Sequence, residues 1–145
     1  DAIPTIFRKP NIFITVPIGY IYTFSKNFLS ITKHHISIKD GHELSLDEIF
    51  DHDVAYSLAS KDYKENGVYL VDNTPEEIRD LVIEMDDRIN GHWAYQDQLI
   101  QTKSKISFIS NLKKDQKLIH GEIFSLFGTK FLEVNPSFIS NNIKY

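Results

Sequence analysis

The sequence contains no cysteine, and only one methionine and one tryptophan occur in its 145 residues. Disulfide bonds and thiolate metal sites are therefore excluded, and a chain without cysteine suits the cytoplasm. No apolar run approaches the ~18 residues that span a bilayer, and no segment has the pattern of a signal peptide. We expect a cytoplasmic protein without a transmembrane segment.

The sequence also lacks an excess of positive charge, since its formal net charge is -4. A general nucleic-acid binder is usually basic, so we expect no nucleic-acid partner. The charge is nevertheless uneven: residues 1–39 carry five basic side chains against one acid, and residues 40–53 carry six acids and no Lys or Arg. The basic part could attract an anionic ligand, although two solvated faces explain the pattern equally simply.

The motifs of common enzyme classes are missing as well. The chain has no nucleophile elbow, phosphate-binding glycine loop or dinucleotide fingerprint, so the residues alone name no catalytic group and no cofactor. Its six histidines do not predict a metal site. His34 and His35 would face opposite ways in a strand, residues 51–53 (DHD) lack a second spaced pair, and His42 does not match a calcium loop.

The opening of the sequence predicts a helix followed by a buried strand. Ile3, Ile6 and Phe7 have helical spacing, and Pro10 ends that helix. Residues 12–16 (IFITV) are typical of a short buried strand. Because this order is the second half of a strand–helix–strand unit, we expect a first strand before Asp1.

The next part of the chain contains one clear helix start. Residues 19–40 have no clean period and predict a loop with one short helix or strand. Ser45 and Glu48 form a capping box, and Leu44 with Ile49 forms a hydrophobic staple, so a helix begins at Ser45.

Two further elements follow. Ser60 is the predicted cap of another short helix, which Gly67 closes in the left-handed conformation. Residues 68–71 (VYLV) predict a second buried strand.

The best helix signal of the chain begins at Thr74. Thr74 is the N-cap, Pro75 the first helical residue and Glu77 the capping-box partner, and residues 90–91 (NG) end the helix. One apolar stripe is predicted to face the core: Ile78, Leu81, Val82, Met85 and Ile89.

The C-terminal part predicts two more helices. Residues 93–111 are polar and weakly amphipathic, and a last helix is expected from Asp115 to Val134, where residues 135–136 (NP) end it. Apolar residues recur there at every fourth position: Ile119, Ile123, Phe127 and Phe131. The order of elements favours an α/β fold with parallel strands and long C-terminal helices.

Ligands of open parallel sheets bind beyond the carboxyl ends of the strands. The first predicted strand ends at Pro17, where Gly19 permits close approach of the backbone and Tyr20 could stack on a ring. A tight turn explains the same residues equally well. Donors to a phosphate could come from three residues further along: Lys33, His34 and His35.

Three segments resemble a family of bacterial glycosyltransferases encoded among surface-polysaccharide genes. They are residues 1–20 (DAIPTIFRKPNIFITVPIGY), 73–93 (NTPEEIRDLVIEMDDRINGHW) and 120–139 (HGEIFSLFGTKFLEVNPSFI). The most specific part is the Thr74 helix with its Gly-His-Trp exit. The resemblance implies the C-terminal part of a two-domain enzyme of GT-B type, built from Rossmann-like halves, with a nucleotide-sugar donor in the C-terminal half and a glycan acceptor.

The resemblance also implies the position of the donor. A phosphate-binding turn would precede Asp1, which lies in the first turn of the opening helix, and an N-terminal domain would precede that turn. Pro17, Gly19 and Tyr20 would line the strand end that faces the donor, and Lys33, His34 and His35 would reach the diphosphate or the sugar. No catalytic base is implied in these 145 residues, and no metal or cofactor. Without the phosphate-binding turn and the N-terminal domain, the fragment alone is not expected to catalyse transfer.

A different class of function explains the missing motifs equally well. The chain could be a complete, non-catalytic α/β interaction domain, with the aromatic-rich residues 20–32 as its partner surface. The two hypotheses predict different behaviour, because a complete domain should melt cooperatively, whereas half a sheet with an exposed edge should be prone to aggregation.

Overall fold

The structure, a computed structural model, describes residues 2–7, 9–14, 17–20, 28–94, 98–111 and 126–139. Its helices are α1 Ala2–Ile6, α2 Leu46–Asp51, α3 Ser60–Glu65, α4 Pro75–Ile89, α5 Gln98–Asn111 and α6 Thr129–Val134. Its strands are β1 Asn11–Ile14, β2 Phe28–Ile31, β3 His34–Ser37, β4 Val68–Val71 and β5 Leu126–Phe127. Two short 3-10 helices cover Ile18–Tyr20 and Pro136–Phe138.

A parallel sheet of three strands forms the centre of the fold, in the order β1-β2-β5. Asn11 pairs with Phe28 and Leu29 pairs with Leu126. The central strand β2 is buried along its whole length, whereas β1 is half-buried. β2 lies in the stretch that the sequence predicted mainly as a loop, because a fully buried strand shows no alternation of polar and apolar residues.

The second sheet corrects the prediction for residues 68–71. β4 pairs with β3, and the pairing is antiparallel, with His34 opposite Val71. β4 is also not buried throughout, since Val68 is buried while Tyr69 and Val71 are exposed. A strand with one solvated face is typical of antiparallel sheets.

The capping box of α2 is confirmed. The Ser45 hydroxyl accepts a hydrogen bond from the Glu48 backbone N–H, and the Glu48 carboxylate accepts one from the Ser45 backbone N–H at 2.8 Å. Leu44 and Ile49, the predicted hydrophobic staple, are both buried in the core.

The start of α4 is confirmed, but its buried face is rotated from the predicted stripe. Thr74 caps the helix and Glu77 completes the box, as predicted. Leu81 and Met85 are buried, whereas Val82 and Ile89 are 46% and 55% exposed. The third buried residue of α4 is Glu84, which makes polar contacts in the core.

The predicted cap of α3 is wrong by one residue, while its predicted end is confirmed. Ala59 occupies the N-cap position and makes no side-chain cap, so Ser60 is the first helical residue. Gly67 has the left-handed conformation with φ of 75°, which glycine adopts without strain.

The C-terminal part differs most from the prediction. Residues 126–127 form β5 instead of continuing a helix, and α6 begins only at Thr129. The predicted residues Asp115, Ile119 and Ile123 lie outside the described ranges. α5 matches the weak helix predicted for residues 93–111 from Gln98 onward, whereas residues 93 and 94 are not helical.

Phe127 and Phe131, whose spacing suggested one long helix, belong to a cluster of aromatic rings in the core instead. Phe127 from β5 packs edge-to-face against Phe108 from α5 and Phe138, with ring centroids 6.3 Å and 5.4 Å apart. Phe131 from α6 continues the contact with Phe138. Such ring pairs stabilise a core beyond their buried area.

The predicted opening helix is confirmed as α1, which ends before Pro10. The fold of the described residues is thus a mixed α/β arrangement with a parallel three-stranded sheet, compatible with a piece of a Rossmann-like domain. Within these ranges, no helix is long and apolar enough to cross a membrane.

Candidate functional site

Residues that follow β2 and β5 lie at the carboxyl edge of the parallel sheet. Lys33 lies two residues after β2, and β5 is followed directly by Gly128 at the start of α6. Gly128 leaves no space for a side chain, because an added Cβ would lie 2.8 Å from Leu81 of α4. The N-terminus of α4 also points toward this edge, since the far end of α4 lines a pocket at the opposite edge.

Lys33 makes an ion pair at the surface of this edge. Its ammonium lies 2.5 Å from the carboxylate of Asp72, which immediately follows β4. The Lys33 side chain is 31% exposed and that of Asp72 is 83% exposed. An exposed pair of this kind contributes only ~0–1 kcal/mol to stability, so the ammonium can exchange its partner at little cost.

His34 is held between two carboxylates. Its Nδ1 lies 2.6 Å from Glu43, and its Nε2 lies 3.1 Å from Glu77 in the first turn of α4. Burial lowers the pKa of His34, but the hydrogen bonds and charges of Glu43 and Glu77 outweigh burial and raise it above 6.5. The charge of the imidazolium is therefore already balanced by neighbouring carboxylates.

His35 points to the other side of β3, as the strand geometry predicted. It is 3% exposed, its Nδ1 donates to the Lys33 carbonyl at 2.8 Å, and its ring lies against Tyr63. Burial lowers the pKa of His35 to about 4, so the ring is neutral at pH 7. The structure thus separates His35 from Lys33 and His34, the other two predicted donors.

Residues 18 and 19 are packed rather than open. Gly19 is buried, and its backbone N–H donates to the Ala55 carbonyl. An added Cβ would collide with the ring of Tyr56. Pro17 is half-buried, whereas the Tyr20 side chain and all of Asp1 lie outside the described residues. The close approach at Gly19 is therefore made to Tyr56.

Two further histidines contact neighbouring groups within the fold. His42 lies at the surface between Asp40 and Glu48, with distances of 2.6 Å and 3.2 Å, and the Nδ1 of His52 donates to the Asn66 carbonyl. In the part of the chain that the structure describes, no group of three His, Cys, Asp or Glu residues could hold a metal ion.

One buried ionic network was missed by the sequence analysis. Glu84 accepts hydrogen bonds from the Thr129 backbone N–H at 2.6 Å and from the Thr129 hydroxyl at 2.9 Å. Its carboxylate also binds the Arg88 guanidinium at 2.7 Å, and Arg88 stacks on Trp93. The only sequence signal was the i, i+4 spacing of Glu84 and Arg88, which is typical of exposed helix pairs too.

The opposite edge of the sheet carries a pocket of about 230 Å³. It is bordered by strand starts and by the end of α4: Pro10, Phe28, Leu29, Met85, Arg88, Ile89 and Leu126. Because ligands of open parallel sheets bind at the carboxyl edge, we place the candidate site at Lys33 and His34 and not at this pocket.

Comparison with protein-family models, curated proteins and solved structures finds no match for this chain. Its function is therefore inferred from the site at the carboxyl edge together with the resemblance of its segments.

Proposed function

We propose that this chain is the nucleotide-sugar-binding part of a cytoplasmic glycosyltransferase of GT-B type, which transfers a sugar to a cell-surface glycan. The catalytic base would lie in the N-terminal half that the resemblance implies. The observation that carries the proposal is the parallel β1-β2-β5 sheet, with the cation Lys33 directly beyond the carboxyl end of its central strand.

Lys33 is the residue best suited to the leaving diphosphate. Departure of a nucleoside diphosphate develops negative charge, and a positioned cation stabilises it without a metal. The exposed pair with Asp72 can be exchanged for a phosphate at low cost. His34, in contrast, would first have to break its contact with Glu43 or Glu77. We therefore expect His34 to contribute less than Lys33 to binding of the diphosphate.

The test is a calorimetric titration of the complete protein with UDP, GDP and dTDP. Lys33→Ala should weaken binding of the preferred diphosphate by about tenfold or more, since a hydrogen bond to a charged group contributes ~1.5–3 kcal/mol. Lys61→Ala is the matched control, because Lys61 also forms an exposed ion pair, with Glu65 on α3. His34→Ala is a weaker test, because it also removes the contacts to Glu43 and Glu77.

Unchanged diphosphate affinity in Lys33→Ala would remove Lys33 from the site. If none of the three diphosphates binds at millimolar concentration, the proposal of a donor site is wrong.

A second candidate is a non-catalytic interaction domain. Its predicted partner surface is wrong for residues 28–32, which are buried, while residues 21–27 lie outside the described ranges. One other observation favours this candidate. α1 and the residue after it expose three large apolar side chains, Ile3, Ile6 and Phe7, at 68%, 70% and 68%. Exposed apolar clusters of this kind mark interaction surfaces. The same titrations separate the two candidates, since an interaction domain binds no nucleoside diphosphate.

A further inference from the structure

His34 connects three separate parts of the chain through its ring. It is the first residue of β3, and one ring nitrogen contacts Glu43, in the segment that bridges to Ile36 of β3. The other nitrogen contacts Glu77, whose carboxylate also accepts the Thr74 backbone N–H at 2.8 Å at the start of α4. The side chain of His34 is only 15% exposed and that of Glu77 is 12% exposed, so little water replaces these contacts.

The two contacts determine how many protons the ring needs. A carboxylate only accepts hydrogen bonds, and a neutral imidazole has a single N–H. The neutral ring would therefore turn a lone pair toward Glu43 or Glu77, and only the imidazolium donates to both. Loss of one proton thus breaks one of the two links that the His34 side chain makes.

We propose that His34 is a pH-operated clamp, which in its protonated form ties β3 to Glu43 and to the first turn of α4, and which releases one of them when it loses its proton. The clamp does not depend on the proposed transferase activity, because it rests on contacts within the fold alone.

The other groups around His34 add no charge that offsets the two carboxylates. Among the described residues, β3 contributes the neutral His35, α6 contributes the uncharged ring of Phe131 at 6.1 Å, and Lys33 beside it is paired with Asp72. Asn135, after α6, approaches the second oxygen of Glu77 at 3.5 Å. The pKa of His34 is correspondingly raised above 6.5, despite burial.

The raised pKa of His34 determines how the stability of the fold changes with pH. A histidine with a raised pKa contributes stability that is fully present below pH 6.5 and is lost as pH rises through the pKa of the folded state. Burial raises the pKa of Glu77, but the hydrogen bonds of Thr74 and His34 lower it below 4.5 overall. Glu77 therefore stays ionised across the range in which His34 titrates.

The experiment compares urea unfolding of the unsubstituted chain and His34→Gln between about pH 5.5 and about pH 8.5. We expect the unsubstituted chain to be more stable than His34→Gln at low pH, and we expect this difference in the free energy of unfolding to decrease as pH rises. The ratio of the two unfolding constants should change by about tenfold for each unit by which the pKa of His34 exceeds 6.5. His52→Gln is the matched control, because the His52 ring contacts the backbone carbonyl of Asn66 and not a pair of carboxylates.

An NMR titration of the imidazole protons tests the same proposal in the folded chain, without unfolding it. The pKa of His34 should lie above 6.5 in the unsubstituted chain and should fall in Glu43→Gln and in Glu77→Gln. A His34 ring that titrates at or below 6.5 overturns the proposal. A ratio of unfolding constants that stays constant over the pH range, or that changes as much in His52→Gln, overturns it too.

Discussion

The substitution Glu84→Ala tests whether a buried charge holds the end of the parallel sheet. Glu84 is 2% exposed, and it contacts the Thr129 backbone N–H, the Thr129 hydroxyl and the Arg88 guanidinium. Alanine removes all these contacts at once. It leaves the Thr129 N–H without its acceptor and deprives Arg88 of the carboxylate of Glu84.

The expected loss of stability can be bounded in two ways. Removing one partner of a buried ion pair costs ~3–5 kcal/mol, and each hydrogen bond to a charged group contributes ~1.5–3 kcal/mol. Since both ranges describe the same contacts of Glu84, they are not added. We expect Glu84→Ala to lower the free energy of unfolding by ~3–5 kcal/mol, a large part of the ~5–15 kcal/mol of an ordinary domain.

The assay is urea unfolding followed by far-UV circular dichroism, with Trp93 fluorescence as a local probe, because Arg88 lies 4.7 Å from the centre of the Trp93 ring. Glu133→Ala is the control, since Glu133 forms an exposed pair with Lys130 on α6; it should cost at most ~1 kcal/mol. A loss below ~1 kcal/mol in Glu84→Ala would refute the role of Glu84 as a buried anchor of α6.

Two further substitutions test local packing and capping, each by urea unfolding. Thr74→Ala removes the cap of the Glu77 N–H and should cost ~1 kcal/mol, whereas Thr74→Ser should keep most of the stability; equal losses would contradict the capping role. Gly19→Ala places a methyl group in the Tyr56 ring and should cost ~1–3 kcal/mol. The same cost in a Tyr56→Ala background would show that this contact is not the cause.

The helix starts were predictable because their signals are local. The capping boxes of Ser45 and Thr74 join residues three positions apart, so the bonds form within a single turn wherever the helix packs. The left-handed conformation of Gly67 at the end of α3 was predictable for the same reason. Ser60 shows the limit, because a residue type that favours a cap does not by itself place the helix boundary.

The candidate site was predictable only in part. Lys33 and His34 could be proposed from their position, and the strand geometry predicted that His35 faces the other way. Their partners could not be predicted, since Glu43 and Glu77 lie 9 and 43 residues from His34 in the sequence. The acidic surroundings of His34, which decide its charge, are a product of tertiary contacts.

The sequence by itself determined where α2 and α4 begin, because caps depend on atoms one turn apart. Only the tertiary structure decided that β4 runs antiparallel to β3, that β2 is the central strand and that residues 126–127 form a strand. Strand partners come from distant parts of the chain, as Leu29 and Leu126 do, and a short apolar run suits helix and strand alike. Glu84 likewise lies in the core because of a contact between distant parts of the chain, since it binds Thr129, 45 residues away.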